Sequence, residues 1–294
     1  MATKARGERG PVEDIQSEGK RAAQQAAYSP LMETLTRIGY AVKGVIYILI
    51  GVLALEGVTG KNHSPADQVG AIVALSKLPA GEVIMWIVLI GLIAYSLWGF
   101  IRAILDPYHK GHDLKGIAAR IGYVISGLTY AFFVLPTYDL IKGARHSSSA
   151  GSGSTQKIVA QVMSMPFGAI LVGAFGVAAI AAGVYQIYSG LNSTFDRQFK
   201  SYALTPDQYK TVIQAGRFGT AARGVVFALV GFFLCLAAVY HNPSQAKGFS
   251  GALTFLGHQP YGLWLLGIIA VGLIAFGVYS LISAAWLKMR RESR

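Results

Sequence analysis

The sequence predicts an all-α integral membrane protein. Six transmembrane helices form three parallel two-helix repeats, with short interfacial helices on the outer face. Three observations predict it. Hydrophobic residues make up 53% of the 294 and charged residues only 14%, against about 25% charged in a soluble domain, and the mean hydropathy is +0.46. Six apolar runs are each long enough to cross a hydrocarbon core of about 30 Å, which takes about 20 helical residues. The runs recur in pairs with matched punctuation.

The runs are Ile38 to Val58, Val83 to Leu105, Ile121 to Ile141, Phe167 to Leu191, Phe218 to Tyr240 and Gly262 to Leu287. None alternates with period two, which excludes a β-barrel. Pro136 should kink the third run near its outer end, because its ring and missing N–H break the helical ladder. The stretches before the even runs, Asp67 to Leu78, Gln156 to Met165 and Phe249 to Leu256, are apolar but too short to span. They read as interfacial or re-entrant helices. Ser147 to Thr155 reads as a flexible outer linker from its Ser and Gly content.

The odd runs open alike. Arg37-Ile38-Gly39-Tyr40 leads to Lys43-Gly44 and Tyr47; Arg120-Ile121-Gly122-Tyr123 leads to Ser126-Gly127 and Tyr130; Arg217-Phe218-Gly219-Thr220 leads to Arg223-Gly224 and Phe227. The even runs follow Pro79-Ala80-Gly81, Pro166-Phe167-Gly168 and Pro260-Tyr261-Gly262, with an aromatic 19 residues after each proline: Trp98, Tyr185 and Tyr279. Proline suits a first helical turn, where its missing N–H is not needed. Three copies at near-constant spacing mark internal repetition. The units are residues 36–110, 111–200 and 201–294, after a tail over 1–35 expected to be largely disordered. Each unit holds two spans, so the copies relate by rotation about the membrane normal. A ring and a row both satisfy that relation.

Orientation follows from the basic residues. Twenty of the 26 Lys and Arg fall in the tails, in the segments joining even to odd spans, or at the adjoining span ends; six fall on the other side. This asymmetry places both termini in the cytoplasm of a plasma or inner membrane. It also accounts for the net charge of +12 without a nucleic-acid partner. The lone Cys235 excludes an intrachain disulfide.

The chain resembles the bacterial membrane family known as domain of unknown function, family 1206, whose members carry three copies of a two-helix repeat. The resemblance covers about Thr36 to Met289. It is carried by the Arg-x-Gly-x-x-x-x-Gly openings and by His258-Gln259-Pro260-Tyr261-Gly262 followed by Gly272-Leu273-Ile274-Ala275 and Tyr279. It implies a bacterial inner-membrane protein and brings neither an activity nor catalytic residues.

Reactive constellations are sparse. The six histidines lie in loops or at span ends, which does not suit a haem held between helices. His109-x-x-His112-Asp113 reads as a solvated loop, for want of further ligands at metal spacing. Gly-x-Ser-x-Gly and Walker patterns are missing. Neither a cofactor nor an enzyme is expected. Glu56, Glu82 and Asp139 near the outer span ends read as helix anchors, with an acidic vestibule as the alternative. Pro206-Asp207-Gln208-Tyr209-Lys210 is one residue off the signature of mitochondrial carriers, which also use three two-helix repeats, and is expected in a loop.

The basic residues inside the spans carry more information. Arg37, Lys43, Arg120, Arg217 and Arg223, with Tyr47 and Tyr130 on the same faces, form a candidate ligand- or lipid-binding set. Lys43 and Arg223 stand two turns inside at matched places, where charged residues usually face a cavity or partner. Snorkelling to the interface is the plainer reading. Tyr40, Tyr95, Trp98, Tyr123, Tyr185, Tyr188 and Tyr279 read as an interfacial belt, and the repeat glycines as helix-packing surfaces. The residues point to a structural or partner-binding membrane protein in contact with the bilayer and its anionic headgroups, with a protein partner or oligomer open. The alternative is a small-solute transporter or channel with a path between the repeats.

Overall fold

The computed structural model describes residues 30–58, 67–77, 79, 81–105, 114–142, 152–192 and 206–286. These form helices α1 (Pro30–Val58), α2 (Gln68–Ser76), α3 (Gly81–Leu105), α4 (Leu114–Phe132), α5 (Val134–Ile141), α6 (Ser152–Met163), α7 (Gly168–Leu191), α8 (Pro206–Val239), α9 (Phe249–Gly257) and α10 (Gly262–Trp286), with a 3₁₀ turn at Pro243–Gln245. Among the described residues there is no strand. Six spans are long and apolar enough to cross a membrane: α1, α3, α4 with α5, α7, α8 and α10.

Three boundaries differ from the sequence reading. Helix α1 begins at Pro30 and α8 at Pro206, each with proline at the first helical position. The expected tail therefore yields to helix six residues early, and Pro206 to Lys210 form a helical turn rather than a loop. Ser152 to Thr155, read as linker, open α6. The remainder of the tail and linker, with His109, His112 and Asp113, lie outside the described residues.

The third span breaks where Pro136 predicts. Pro136 has no N–H for the Phe132 carbonyl, so α4 stops at Phe132 and α5 resumes at Val134. The Phe133 N–H instead reaches the Tyr130 carbonyl at 3.2 Å.

The Pro-x-Gly motifs do not sit in the first turn of their spans, which start at Gly81, Gly168 and Gly262. In the second and third repeats they form the tight turn between the short helix and its span. Phe167 and Tyr261 adopt left-handed backbone, with φ of 61° and 60°. The Gly168 N–H donates to the Met165 carbonyl at 2.9 Å, and the Gly262 N–H to the Gln259 carbonyl at 2.7 Å. A Cβ at either glycine would press on the carbonyl end of the short helix.

Spans consecutive in the chain pack on one another except the third and fourth, and the last returns to the first: α10 packs extensively on α1, and α8 on α7. Three equivalent crossings make this arrangement. Ser96, Gly183 and Gly277 each lie 17 residues after their repeat's proline. Each meets the odd span of another repeat at Gly127, Gly224 and Gly44. Ser96 Oγ donates to the Gly127 carbonyl at 2.9 Å. A Cβ on Gly183 would lie 2.6 Å from the Gly224 carbonyl oxygen, and one on Gly277 2.6 Å from that of Gly44. Small residues permit such approach.

Pairing within repeats is uneven. In the first repeat a Cβ on Gly39 would stand 2.9 Å from Tyr95 Cβ, and in the third one on Gly219 would stand 2.6 Å from Phe276 Cα; on Gly122 of the second it would meet nothing within 4 Å. Among the described residues, helices α4 and α7 make no extensive contact. The second repeat's spans are accordingly only 18% and 22% buried, against 39–56% for the others. The main core lies among α1, α2, α3, α8, α9 and α10, joined by Tyr130 of α4.

The short helices gather at one end. α2 packs on α1 and α3; α9 packs on α10, α8 and α6. Asp67 caps α2, accepting from the Gly70 N–H at 2.8 Å, and hydrogen-bonds Ser250 of α9.

Candidate functional site

The odd spans place a cation beside two of the three crossings. Lys43 directly precedes Gly44 and Arg223 directly precedes Gly224; in the second repeat the place belongs to Ser126. Residues four apart share a helix face, so Lys43 stands over Tyr47 and Arg223 over Phe227. On α3, Tyr95, Trp98 and Arg102 follow at three- and four-residue steps and make one face. The crossings turn these faces inward.

The result is a chain of cations and rings. Lys43 Nζ donates to the Tyr95 hydroxyl at 3.1 Å and stands 4.9 Å from the Phe276 ring centre. Arg223 Cζ lies 5.1 Å from the same Phe276 ring, 4.9 Å from Phe227 and 5.3 Å from Tyr47. Arg102 Cζ lies 5.6 Å from the Tyr95 ring and 4.7 Å from Tyr123. Tyr130 closes the group, its ring 4.4 Å from that of Tyr95. Lys43 and Arg102 are each 7% exposed, and Arg223 is half-buried.

Among the described residues, the charged and hydroxyl groups that weigh most on Lys43 are Tyr95, Arg223 and Arg102. Those that weigh most on Arg223 are Tyr47, Tyr130 and Tyr95, and Tyr47 also accepts a hydrogen bond from it. None of these is a carboxylate. Ring faces attract cations by about 0.5–2 kcal/mol each, but they do not neutralise charge, and a buried cation without a counter-ion is costly. Donor capacity also goes unused. Arg223 Nε, Trp98 Nε1 and Thr220 Oγ1 are shielded from solvent and have no hydrogen-bond partner. Thr220 is 7% exposed, Trp98 1%, and Thr220 lies one turn before Arg223. Lys43 and Arg223 bring the charge, and Arg223 Nε an unused donor, to receive an oxyanion, which a guanidinium binds in a two-pronged fashion.

Of the residues expected to bind, the structure brings together Lys43, Arg223, Tyr47 and Tyr130. Snorkelling is corrected for Lys43, which is buried and bonded to Tyr95. Arg217 serves otherwise: its Nε donates to the Gly190 carbonyl at 2.9 Å and its Nη2 to that of Leu191, closing the end of α7. Arg37 and Arg120 are half-buried and are not among the groups acting on Lys43 or Arg223. The belt reading is corrected for Tyr95, Trp98 and Tyr279, which are buried because the crossings turn their faces inward; Tyr185 and Tyr188 are exposed. Arg102, Tyr95 and Phe276 were not in the expected set. The spacing Tyr95, Trp98, Arg102 is the signal that finds the first two. Glu82 and Asp139 are both exposed.

Comparison with known proteins gives a consistent outline. The family described as Domain of Unknown Function (DUF1206) matches residues 38–106, 121–192 and 218–287. The sequence is 31% identical over 263 residues to an uncharacterized protein, YxxB, of Bacillus subtilis (strain 168), spanning 90% of this chain and 94% of that one. No solved structure matches.

Proposed function

The chain belongs to the DUF1206 family, and we propose that it is a membrane protein that binds an oxyanion, phosphate or carboxylate, in the interior of its six-span bundle. One observation carries the reading: Lys43 and Arg223, from equivalent places in two repeats, share the Phe276 ring, and among the described residues the groups that weigh most on either are tyrosines and arginines. In this reading the protein is a binding or transport protein rather than an enzyme, and both termini face the cytoplasm. A purely structural role would rest on ring and tyrosine contacts, which hold the two cations but do not neutralise them.

The test is ligand-dependent thermal stabilisation of the purified full-length protein. Inorganic phosphate and dioleoylphosphatidic acid serve as probes against a phosphatidylcholine background. Stabilisation by at least one probe is expected, with apparent affinity falling about tenfold or more in Lys43→Gln/Arg223→Gln, the loss of a charge-assisted hydrogen bond. Equal responses of both proteins to both probes would leave the structural role as the better account.

A further inference from the structure

The second repeat lacks both members of the layer that builds the site. Sixteen residues after the repeat proline stand Tyr95 and Phe276, the rings that hold Lys43; the matching residue is Ala182. Where the other repeats have Lys43 and Arg223, this one has Ser126. Trp98 and Tyr279 are 1% and 7% exposed, whereas the matching Tyr185 is 66% exposed. Gly39 and Gly219 are buried, whereas Gly122 is exposed. A ring and a long cationic side chain are thus missing from one sector of the layer, and among the described residues α4 and α7 make no extensive contact there. The flanks are apolar and uncovered: Ile121 and Leu128 on α4 are 55% and 53% exposed, and Phe175 on α7 60%.

We propose that this sector is a lateral doorway from the bilayer, and that the oxyanion is the headgroup of a membrane-borne amphiphile whose acyl chain lies between α4 and α7. The inference rests on the oxyanion reading above. Charge complementarity selects the occupant. The cations inside require an anion, and the apolar walls leading to them suit a hydrocarbon chain, which a water-soluble anion does not have. A second copy of this chain seated here would cover the walls but supply no anion to Lys43 and Arg223.

The test uses the full-length protein in phosphatidylcholine nanodiscs containing a trace of phosphatidic acid with a photoreactive diazirine in its acyl chain. Cross-links are mapped by mass spectrometry. Label should concentrate on α4 and α7, around Gly122, Leu128, Phe175 and Tyr185. It should fall about tenfold in Lys43→Gln/Arg223→Gln. It should fall similarly in Ala182→Phe, which restores the ring of the other repeats at an exposed position. Label spread evenly over lipid-facing residues such as Trp86 and Trp264, and indifferent to Ala182→Phe, overturns the doorway. If inorganic phosphate still stabilises the wild type and not the Gln variant in that case, the oxyanion reading survives alone. If neither probe depends on Lys43 and Arg223, both fall. Disulfide-linked dimers of Tyr185→Cys with this face unlabelled would also overturn the proposal, in favour of a second copy.

Discussion

Gly44 of α1 and Gly277 of α10 cross backbone to backbone. A Cβ on Gly44 would stand 2.8 Å from the Gly277 carbonyl oxygen, and one on Gly277 2.6 Å from that of Gly44. Neither obstacle is a flexible side chain, so added volume must part the helices. Gly44→Ala and Gly277→Ala should each destabilise the protein by about 1–3 kcal/mol, the usual cost of overpacking. Gly122→Ala, with nothing within 4 Å of its Cβ, should be neutral. Thermal unfolding in detergent separates the two classes, and a comparable loss at Gly122 would contradict the opening between α4 and α7.

Arg217 closes the end of α7 through the Gly190 and Leu191 carbonyls. The last carbonyls of a helix have no partners of their own and carry its negative pole. Arg217→Ala should lower stability by about 1.5–3 kcal/mol, the contribution of charged hydrogen bonds, and leave binding of either probe unchanged. Arg217→Lys should recover only part, since an ammonium does not reproduce the two-pronged contact. Reduced probe affinity in Arg217→Ala would return that residue to the site.

Burial pushes the Asp67 carboxyl above its ordinary value of 3.8, against the opposing hydrogen bonds from Gly70 and Ser250. Its protonated form is therefore favoured by folding. The contribution is greatest below the unfolded value and is lost as pH rises through the folded one. Stability should decline in that window, which opens at 3.8. Asn caps helices about as well as Asp, so Asp67→Asn should keep the cap and flatten this part of the profile. Melting temperatures of both proteins between about pH 4 and pH 7 decide it: parallel profiles would show that Asp67 stays ionised.

The basic asymmetry predicts alternating sides along the chain. Reporter fusions after Ala27, Lys61, Lys110, Ser147, Lys200, Ser244 and Arg294 should read cytoplasm and exterior in turn, beginning and ending in the cytoplasm. Two successive fusions on one side would remove a span.

Much of this architecture is legible in the residues. Twenty-residue apolar runs have few alternatives, and the glycine and proline punctuation locates both the crossings and the turns. The inner faces are harder to see. In a bilayer the lipid-facing side of a helix is as apolar as the packed side, so periodicity does not separate Tyr95 and Trp98, buried, from Trp86, exposed. Aromatics near a span end then resemble a belt. Arg102 hides among the other basic residues near the span ends, and only its spacing from Tyr95 and Trp98 sets it apart. Snorkelling is the natural reading of Lys43 from sequence, because a single span shows the length of a side chain but not the neighbour leaning over it.

The crossings between repeats also order events at the ribosome. Helix α4 meets its partner α3 as soon as it leaves the translocon, but α7 must wait for α8, and α1 gains its extensive contact with α10 only when the final span arrives. The first helix made is thus among the last to be completed. Until α10 is made, Lys43 lacks the Phe276 ring that stands over it in the finished bundle. Chains truncated before α10 should consequently be substrates for membrane quality control.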